Sequence, residues 1–303
     1  MKEKSMKNIR QEFKNHGIYY TPPKLALKLL EYVDITPKNV YDPTCGAGNL
    51  LKAFPNEVKK YGQELDKEQL ALIDIANFTG YAGDTLLEDK FKDMKFDCIV
   101  ANPPFSVKWQ PEKLKEDVRF RNCVALPPPS KADWAFMLHI LHHLEEDGVA
   151  VVLEFPGILY RGQKEGKVRQ WFVDNNYIDR VVDVPGNTFE DTQISTCILV
   201  LKKNKTTTDV IFENEKKTVV VTRKEIIDNG YVLSVNQYIK DDIPKEMIDI
   251  DTINKKVVED LLHQVRSTFG LLFELQRAFP EDVFYIETLI VGLEGILKEH
   301  ERL

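Results

Sequence analysis

The 303-residue sequence predicts an α/β protein built on a mixed β-sheet with helices on both faces. Short apolar runs alternate with helix-like segments through the central part of the chain. Several runs are apolar almost throughout, which is typical of strands covered on both faces. The last two runs follow each other with no helix between them, which indicates that the final strand runs antiparallel.

Seven strands are predicted in chain order. They cover Val40–Asp42, Lys60–Leu65, Gly80–Asp84, Phe96–Ala101, Val149–Phe155, Ile178–Val184 and Ser195–Leu201. Residues 209–222 predict an additional hairpin beyond this sheet.

Helices are predicted between the strands. Asp66 is placed to cap a helix that runs to Asn77, and a more polar helix covers residues 164–175. The helix over residues 131–144 carries one apolar stripe made of Trp134, Met137, Leu138 and Leu141.

The pattern changes at Asp251, where apolar residues begin to recur at alternating spacings of four and three. These residues are Val258, Leu262, Val265, Phe269, Leu272 and Phe279. Residues 280–282 look like the start of a second helix, so we predict a helical arm over residues 241–303 beyond a larger domain, residues 1–240. Two interpretations of the arm stay open: it packs on its own domain, or it binds a partner.

Composition is that of an ordinary soluble globular protein, with a net charge of −7. No apolar run approaches the roughly 20 residues that span a bilayer, and the charged N-terminus has no apolar export segment.

The four cysteines lie far apart in no metal-ligand spacing, which predicts reduced thiols in a cytoplasmic protein and no metal site. The acidic total excludes a surface that is basic all over. Residues 1–31, however, hold seven basic and three acidic side chains, so a local DNA-binding face stays open.

A glycine-rich turn follows the first strand. Glycines at this position let the backbone approach a ligand closely at the carboxyl edge of the sheet. Asp42 would offer a carboxylate to the ammonium group of a bound amino-acid moiety. We expect cofactor contacts along the turn from Asp42, Thr44, Gly46, Ala47, Gly48 and Asn49.

Two more carboxylates end the next two strands. Glu64 stands 22 residues after Asp42, close to the offset of roughly 20 at which an acidic side chain meets ribose hydroxyls. Asp84 and the adjacent Thr85 are placed to bond the exocyclic amine of an adenine ring. A single carboxylate is more often a solvated strand end. Three on successive strands favour a cofactor that carries a nucleoside.

The fourth strand ends in the tetrapeptide Asn102–Phe105. An aromatic exocyclic amine is a poor nucleophile because its lone pair is delocalised into the ring. Acceptors on both amine hydrogens, here the Asn102 side-chain oxygen and the Pro103 carbonyl, would localise the lone pair toward an electrophilic methyl group. Pro103 and Pro104 stiffen the turn, and Phe105 offers a stacking face to a flipped base. Alone, such a tetrapeptide is more often a plain turn, but its place after strand four favours a catalytic segment.

The loop over residues 106–129 interleaves basic and aromatic side chains, namely Lys108, Trp109, Lys113, Lys115, Arg119, Phe120 and Arg121. This mixture predicts a mobile lid that contacts DNA, with a simply exposed loop as the alternative.

Together these motifs resemble the methylation subunit of type I restriction-modification systems, within the wider N6-adenine DNA methyltransferase family. The resemblance covers residues 15–240 and follows the γ order of motifs. It is carried by Gly17–Pro22, Asp42–Leu51, Tyr61–Leu65, Gly83–Leu86, Phe96–Ser106, Pro156–Gly162, Phe189–Leu201 and Leu233–Tyr238.

The resemblance implies a Rossmann-like class I methyltransferase with a seven-stranded mixed sheet, and S-adenosylmethionine as its cofactor. It implies that Tyr20, Thr21 and Pro22 contact the cofactor and that Phe189 is a second aromatic face against a flipped base. The implied activity is methyl transfer to the N6 amine of adenine in double-stranded DNA, catalysed by residues 1–240. A separate specificity subunit would choose the sequence, and a second copy of this chain is a further candidate partner.

The sequence departs from the family pattern at Asn49, where a second glycine is usual, and by lacking the long helical N-terminal domain of many such subunits. No segment is long enough for an independent target-recognition domain, so we do not expect sequence specificity from this chain alone. Two other functions stay open: a glutamine N5-methyltransferase that modifies proteins, and a non-catalytic assembly protein that shares the fold.

Overall fold

The computed structural model describes residues 21–186, 195–240, 250–279 and 287–292. These residues fall into two compact units that divide after Lys240.

The first unit contains the sheet and its covering helices. Its strands are β1 Asn39–Asp42, β2 Lys59–Glu64, β3 Phe78–Ala82, β4 Phe96–Ala101, β5 Leu144–Glu154, β6 Ile178–Val184, β7 Thr196–Leu201, β8 Val210–Glu213 and β9 Thr218–Val221. Its α-helices are α1 Pro23–Leu30, α2 Asn49–Lys52, α3 Lys67–Ala71, α4 Asp133–His143, α5 Gln163–Asp174, α6 Arg223–Asp228 and α7 Val235–Tyr238. Single 3₁₀ turns cover Pro111–Lys113 and Pro156–Leu159.

The strands form one mixed sheet in the order β3-β2-β1-β4-β5-β7-β6-β8-β9. The five strands from β3 to β5 in this order are parallel neighbours. β7 runs antiparallel to both β5 and β6, so the prediction of a reversed last strand is confirmed. The strand order reverses between β1 and β4, and the carboxyl ends of strands at such a switch point are where open α/β sheets bind ligands.

The prediction of seven strands was wrong by two, because the hairpin expected beyond the sheet belongs to it. β8 pairs in parallel with β6, with Val181 opposite Phe212, and β9 pairs with β8. β7 lies between β5 and β6, which would leave β6 with an unpaired edge. β8 covers this edge and buries Phe212 completely.

The core lies on both faces of the sheet because successive strand residues point to opposite sides. Val40 packs in the cluster that includes Leu25 and Leu29 of α1. The next residue, Tyr41, packs in the cluster that includes Trp134 of α4 and Phe172 of α5. Strands covered in this way hold their carboxyl ends in a fixed arrangement, which is what positions the site described below.

Two helices differ from their predicted form. Asp66 caps α3 as expected, with its carboxylate accepting from the Glu68 and Gln69 amides, but the helix ends at Ala71 and not at Asn77. The chain beyond it packs Ile73 and Ile75 against the core from an irregular segment. In α4 the expected single stripe is wrong, because every residue from Asp133 to Leu141 is buried. The sheet covers one side of this helix, and residues of the 106–129 loop share its cluster.

The second unit contains α8, Ile250–Ala278, and residues 287–292 are also helical. Along α8 the predicted stripe from Val258 to Leu272 is buried or half-buried, whereas Leu271 is 62% exposed. The second helix start expected at residues 280–282 lies outside the described residues. Within the described part of the chain, no helix combines the length and the apolar character needed to span a membrane.

Candidate active site

A cavity of about 480 Å³ opens at the carboxyl ends of β2, β3 and β4. Eight predicted site residues line it: Thr44, Gly46, Glu64, Asp84, Thr85, Asn102, Pro103 and Pro104. A small adjoining cleft of about 30 Å³ is lined by Thr21, Asp42, Thr44, Gly46, Ala47, Asn49 and Asn102. Thr44, Gly46 and Asn102 line both spaces, so the structure brings the predicted cofactor and catalytic segments together.

Among the predicted site residues that the structure describes, three line neither space. Pro22 accepts the first helical hydrogen bond of α1 from the Ala26 amide, and Gly48 forms the turn that begins α2. The Phe105 ring packs against the core, with its centroid 6.4 Å from that of Phe155. Tyr20 and Phe189 lie outside the described residues.

The glycine turn takes its shape from two residues with positive φ, Gly46 at 52° and Gly48 at 78°. A side chain at either position would be strained. A Cβ atom added to Gly46 would meet no atom of the described residues within 4 Å, because Gly46 faces the open cavity. The turn therefore leaves room for a ligand directly beside its backbone.

Glu64 holds this turn in place. One carboxylate oxygen, Oε2, accepts from the Gly46 amide at 2.8 Å, and the other, Oε1, accepts from the Asp66 amide at 2.9 Å. Each carboxylate oxygen has a second lone pair, so Glu64 can still accept from a hydroxyl in the cavity. Glu64 can therefore hold the glycine turn and still make the predicted ribose contact. The sequence did not reveal the first of these roles.

Asp42 is buried at the end of β1, where its Oδ1 accepts from the Thr44 amide at 3.0 Å. Burial raises the pKa of Asp42 to about 8; the Thr44 hydrogen bond opposes this shift and the charge of Glu64 adds to it. A cationic group brought into the cleft would favour the ionised form of this carboxylate.

Asp84 and Thr85 shape the opposite wall. Asp84 Oδ1 accepts from the amides of Leu86 and Leu87 at 2.9 and 3.1 Å. The Thr85 hydroxyl donates to the Pro43 carbonyl at 2.5 Å, which ties the end of β3 to the start of the glycine turn. Both residues are therefore held rigidly at the cavity edge.

Asn102 lies between the cleft and the larger cavity. Its Nδ2 donates to the Thr21 hydroxyl at 3.0 Å, while the Thr21 carbonyl accepts from Asn49 at 3.2 Å. With the amide nitrogen committed to Thr21, the amide oxygen is the atom of Asn102 left to accept hydrogen bonds. This is the orientation that the catalytic hypothesis requires.

Sequence reasoning missed the apolar side of the cavity, which is formed by Leu86, Val107, Trp109, Ala132 and Phe136. The prediction of a mobile DNA-contacting lid over residues 106–129 is wrong for three of its residues. Trp109 is buried with its indole N–H donating to the Pro128 carbonyl at 2.9 Å, and Arg119 and Phe120 are buried too. Of the basic loop residues, Lys108 lines the cavity, and Lys113, Lys115 and Arg121 are exposed.

Arg119 braces the cavity wall from behind. Its guanidinium donates to the carbonyls of Thr85 and Leu86 at 2.9 and 2.6 Å and pairs with Asp117 at 2.8 Å. The sequence places Arg119 in a run of basic and aromatic residues, and nothing in that run reveals that its two carbonyl acceptors lie more than 30 residues earlier.

A buried polar network continues from Arg119. Asp89, His139 and His143 offer ligand atoms within 4.8 Å of one another, as a metal site would. Each imidazole nitrogen already has a partner, however. His139 contacts Tyr41 and Arg119, and His143 contacts Asp89 and the Met94 carbonyl. With the Arg119 guanidinium 3.7 Å from Asp89, the group is arranged as a hydrogen-bond network.

Comparison with known proteins gives a family match over the part of the chain that contains this site. Residues 3–220 match the family model described as N-6 DNA Methylase. The type I restriction enzyme MpnII methylase subunit of Mycoplasma pneumoniae is 34% identical over 81% of this chain. The alignment covers 57% of that relative, so the chain spans little more than half of its length.

Solved structures give the same fold. The methyltransferase subunit of a type I restriction-modification system from Streptococcus thermophilus superposes with a TM-score of 0.66 at 30% identity, over 73% of this chain and 59% of that one. A candidate class I S-adenosylmethionine-dependent methyltransferase from Listeria monocytogenes gives a TM-score of 0.53 at 21% identity, over 65% and 66%. The class I methyltransferase fold predicted from the sequence is confirmed.

Proposed function

Because the chain belongs to the N-6 DNA methylase family, we propose that it transfers a methyl group from S-adenosylmethionine to the N6 amine of adenine in DNA. The observation that carries this proposal is the position of Asn102, with its amide nitrogen bound by Thr21, where the cleft meets the cavity. The match to modification subunits supports DNA as the substrate in preference to a protein amide, and supports activity in preference to a purely structural role.

The residues present fit the cofactor. Gly46 leaves open space beside the turn, and the buried Thr44 hydroxyl has no hydrogen-bond partner of normal geometry among the described residues. We assign the amino-acid end of the cofactor to the cleft beside Asp42 and the ribose to Glu64. Asp84, Thr85 and the apolar wall then receive the adenine ring. When bound, S-adenosylmethionine supplies an electrophilic methyl group.

The tetrapeptide then prepares the nucleophile. The Asn102 oxygen and the Pro103 carbonyl accept hydrogen bonds from the two N6–H groups, which draws the nitrogen lone pair out of conjugation and toward the methyl group. This is electrostatic preorganisation, and no strong base is needed within the site, because the nitrogen loses one proton to solvent only after methylation has made it cationic. Phe105 is assigned to stack against the base once it has left the helix.

We assign the choice of DNA sequence to a separate specificity subunit, with a second copy of this chain as a further candidate partner. The net charge of −7 supports a partner that strengthens DNA binding, because phosphate contacts dominate non-specific DNA affinity and this chain carries more acidic than basic side chains, 48 against 41. Site-specific methylation should appear when the chain is mixed with the product of a neighbouring gene. Robust site-specific activity of the chain alone would contradict this part of the proposal.

The proposed function is tested by mapping N6-methyladenine across the host genome with and without this gene. We expect methylation at one sequence motif to disappear in the deletion strain and to return with the wild-type gene. An unchanged set of methylated motifs would overturn the proposal.

A further inference from the structure

The tetrapeptide is followed by a residue in an unusual conformation. Ser106 has a φ of 54°, in the left-handed region that residues with a side chain rarely occupy. Two contacts hold it there: its amide donates to Asp133 Oδ1 at 3.3 Å, and its hydroxyl accepts from Arg161 Nη2 at 3.2 Å. Strain of this kind persists only where the surroundings maintain it.

Arg161 contacts the tetrapeptide region in a second way. Its guanidinium lies over the Phe155 ring, 5.5 Å from the centroid, and Phe155 is the ring that packs 6.4 Å from Phe105. One guanidinium therefore reaches both the residue after Phe105 and the aromatic ring beside it.

The guanidinium is itself held on several sides. Nη1 lies 3.4 Å from Glu165 Oε1 and 3.7 Å from Asp133 Oδ1, two carboxylates that are almost fully buried. The Arg161 side chain is only 17% exposed. Since these carboxylates surround it, the guanidinium is engaged within the protein and is not presented to a DNA phosphate.

Gly157 makes room for this arrangement. A Cβ atom added at Gly157 would lie 2.5 to 2.6 Å from the Nε, Cζ and Nη2 atoms of Arg161. The Arg161 backbone is fixed independently, because its amide donates to the Gly157 carbonyl at 3.0 Å and its carbonyl accepts from Arg169 at 2.7 Å. The side chain would therefore have to move while the main chain stays in place.

We propose that Arg161 is a positioning residue, whose guanidinium, seated on Gly157, holds Phe105 and Ser106 in the geometry that the methyl transfer requires. It acts through these two residues and contributes nothing to either cavity wall. The inference rests on the proposed function, because it assigns a role within the same reaction.

The test is the variant Gly157→Ala, which keeps the arginine and displaces its guanidinium. Gly162→Ala is the matched control, since a Cβ atom there would lie more than 4 Å from every neighbour that the structure describes. Both variants and the wild type are purified from cells that also express the neighbouring genes. Methyl transfer to DNA is then measured under single-turnover and steady-state conditions.

We expect Gly157→Ala to lower kcat about 100-fold, the size of effect that a misplacement of about 1 Å produces. The KM for S-adenosylmethionine should stay within about twofold, because Arg161 does not line the cofactor spaces, and Gly162→Ala should behave as the wild type. Fluorescence of 2-aminopurine at the target adenine should report weaker stacking of the flipped base in Gly157→Ala alone. This split between kcat and KM separates positioning from a general loss of structure.

Equal kcat values for Gly157→Ala and the wild type would overturn the inference, as would a rise in the cofactor KM with kcat unchanged. A wild-type protein that methylates no adenine under these conditions would instead refute the proposed function. The two failures are therefore distinguished by the wild-type measurement.

Discussion

The amide nitrogen of Asn102 donates a hydrogen bond of 3.0 Å to the hydroxyl of Thr21, a residue 81 positions earlier in the chain. An asparagine side chain presents a donor at one end and an acceptor at the other, and a half turn exchanges them. Binding of the donor end by Thr21 directs the oxygen to the acceptor role. Thr21 also accepts from Asn49 through its carbonyl, so the same residue joins the glycine turn to the tetrapeptide.

Replacing Thr21 by valine removes the hydroxyl and keeps the side-chain shape. We expect kcat for DNA methylation to fall by about tenfold, the value of one hydrogen bond near 1.4 kcal/mol, with a smaller change in cofactor affinity. Thr21→Ser retains the hydroxyl and should keep most of the activity. Steady-state kinetics of both variants check this, and equal loss in the two would show that the hydroxyl does not orient Asn102.

Because the pKa of Asp42 is raised in the folded chain, we expect the free energy of unfolding to depend on pH. Its pKa is about 8 in the folded chain and about 3.9 when unfolded, so between these values the folded state binds a proton that the unfolded state does not. Stability should therefore fall as the pH rises from about 4 through 8. In Asp42→Asn this decline should be smaller, and the variant should melt above the wild type near pH 8. If the melting temperatures of the two proteins changed in parallel across this pH range, Asp42 would not be the group that takes up the proton.

We also expect the Asp42 carboxyl group to release its proton when the cofactor binds. The ammonium group of S-adenosylmethionine would favour ionised Asp42, so binding near pH 6.5 should release close to one proton. Calorimetry in two buffers of different ionisation enthalpy measures this number directly. Asp42→Asn should bind more weakly and release none. A wild-type binding enthalpy independent of the buffer would place the ammonium elsewhere.

We expect alanine substitution to destabilise the protein far more at Arg119 than at Arg121, two residues later in the chain. Arg119→Ala would leave Asp117, Asp89 and two carbonyls at the cavity wall without their cation, at an expected cost of about 3–5 kcal/mol in the free energy of unfolding. Arg121 is exposed, and Arg121→Ala should change the free energy of unfolding by less than about 0.5 kcal/mol. Urea unfolding of both variants decides the matter, since similar values would show that Arg119 is not a structural brace.

Sequence patterns predicted those parts of the fold that depend on local order. Buried strands such as β4 and β7 are continuous apolar runs, and the missing helix before β7 indicated its reversed direction. The membership of β8 in the sheet was not predictable, because it depends on which edge of β6 the insertion of β7 leaves open. The early end of α3 likewise depends on where Ile73 and Ile75 find the core.

In the candidate site, too, the sequence predicted some residues correctly and could not predict the contacts of others. Asp42 and Glu64 end their strands, and Asp84 and Asn102 come just after theirs. Their convergence follows from the parallel order of these strands. Arg119 and Trp109 match the composition of a DNA-contacting loop. Several of their partners, however, are the main-chain carbonyls of Thr85, Leu86 and Pro128, which a sequence pattern does not reveal. Burial of a cation is decided by such distant acceptors.

Asn102 is the residue that we propose activates an adenine amine in DNA. The most direct test of this proposal is transfer of radiolabelled methyl from S-adenosylmethionine, with DNA and protein fractions counted separately, in the wild type and in Asn102→Ala. We expect label on adenine N6 in DNA with the wild type and a loss of about 100-fold or more with Asn102→Ala, at nearly unchanged cofactor affinity. Label found only in protein, or an Asn102→Ala variant that methylates DNA at the wild-type rate, would contradict the proposal.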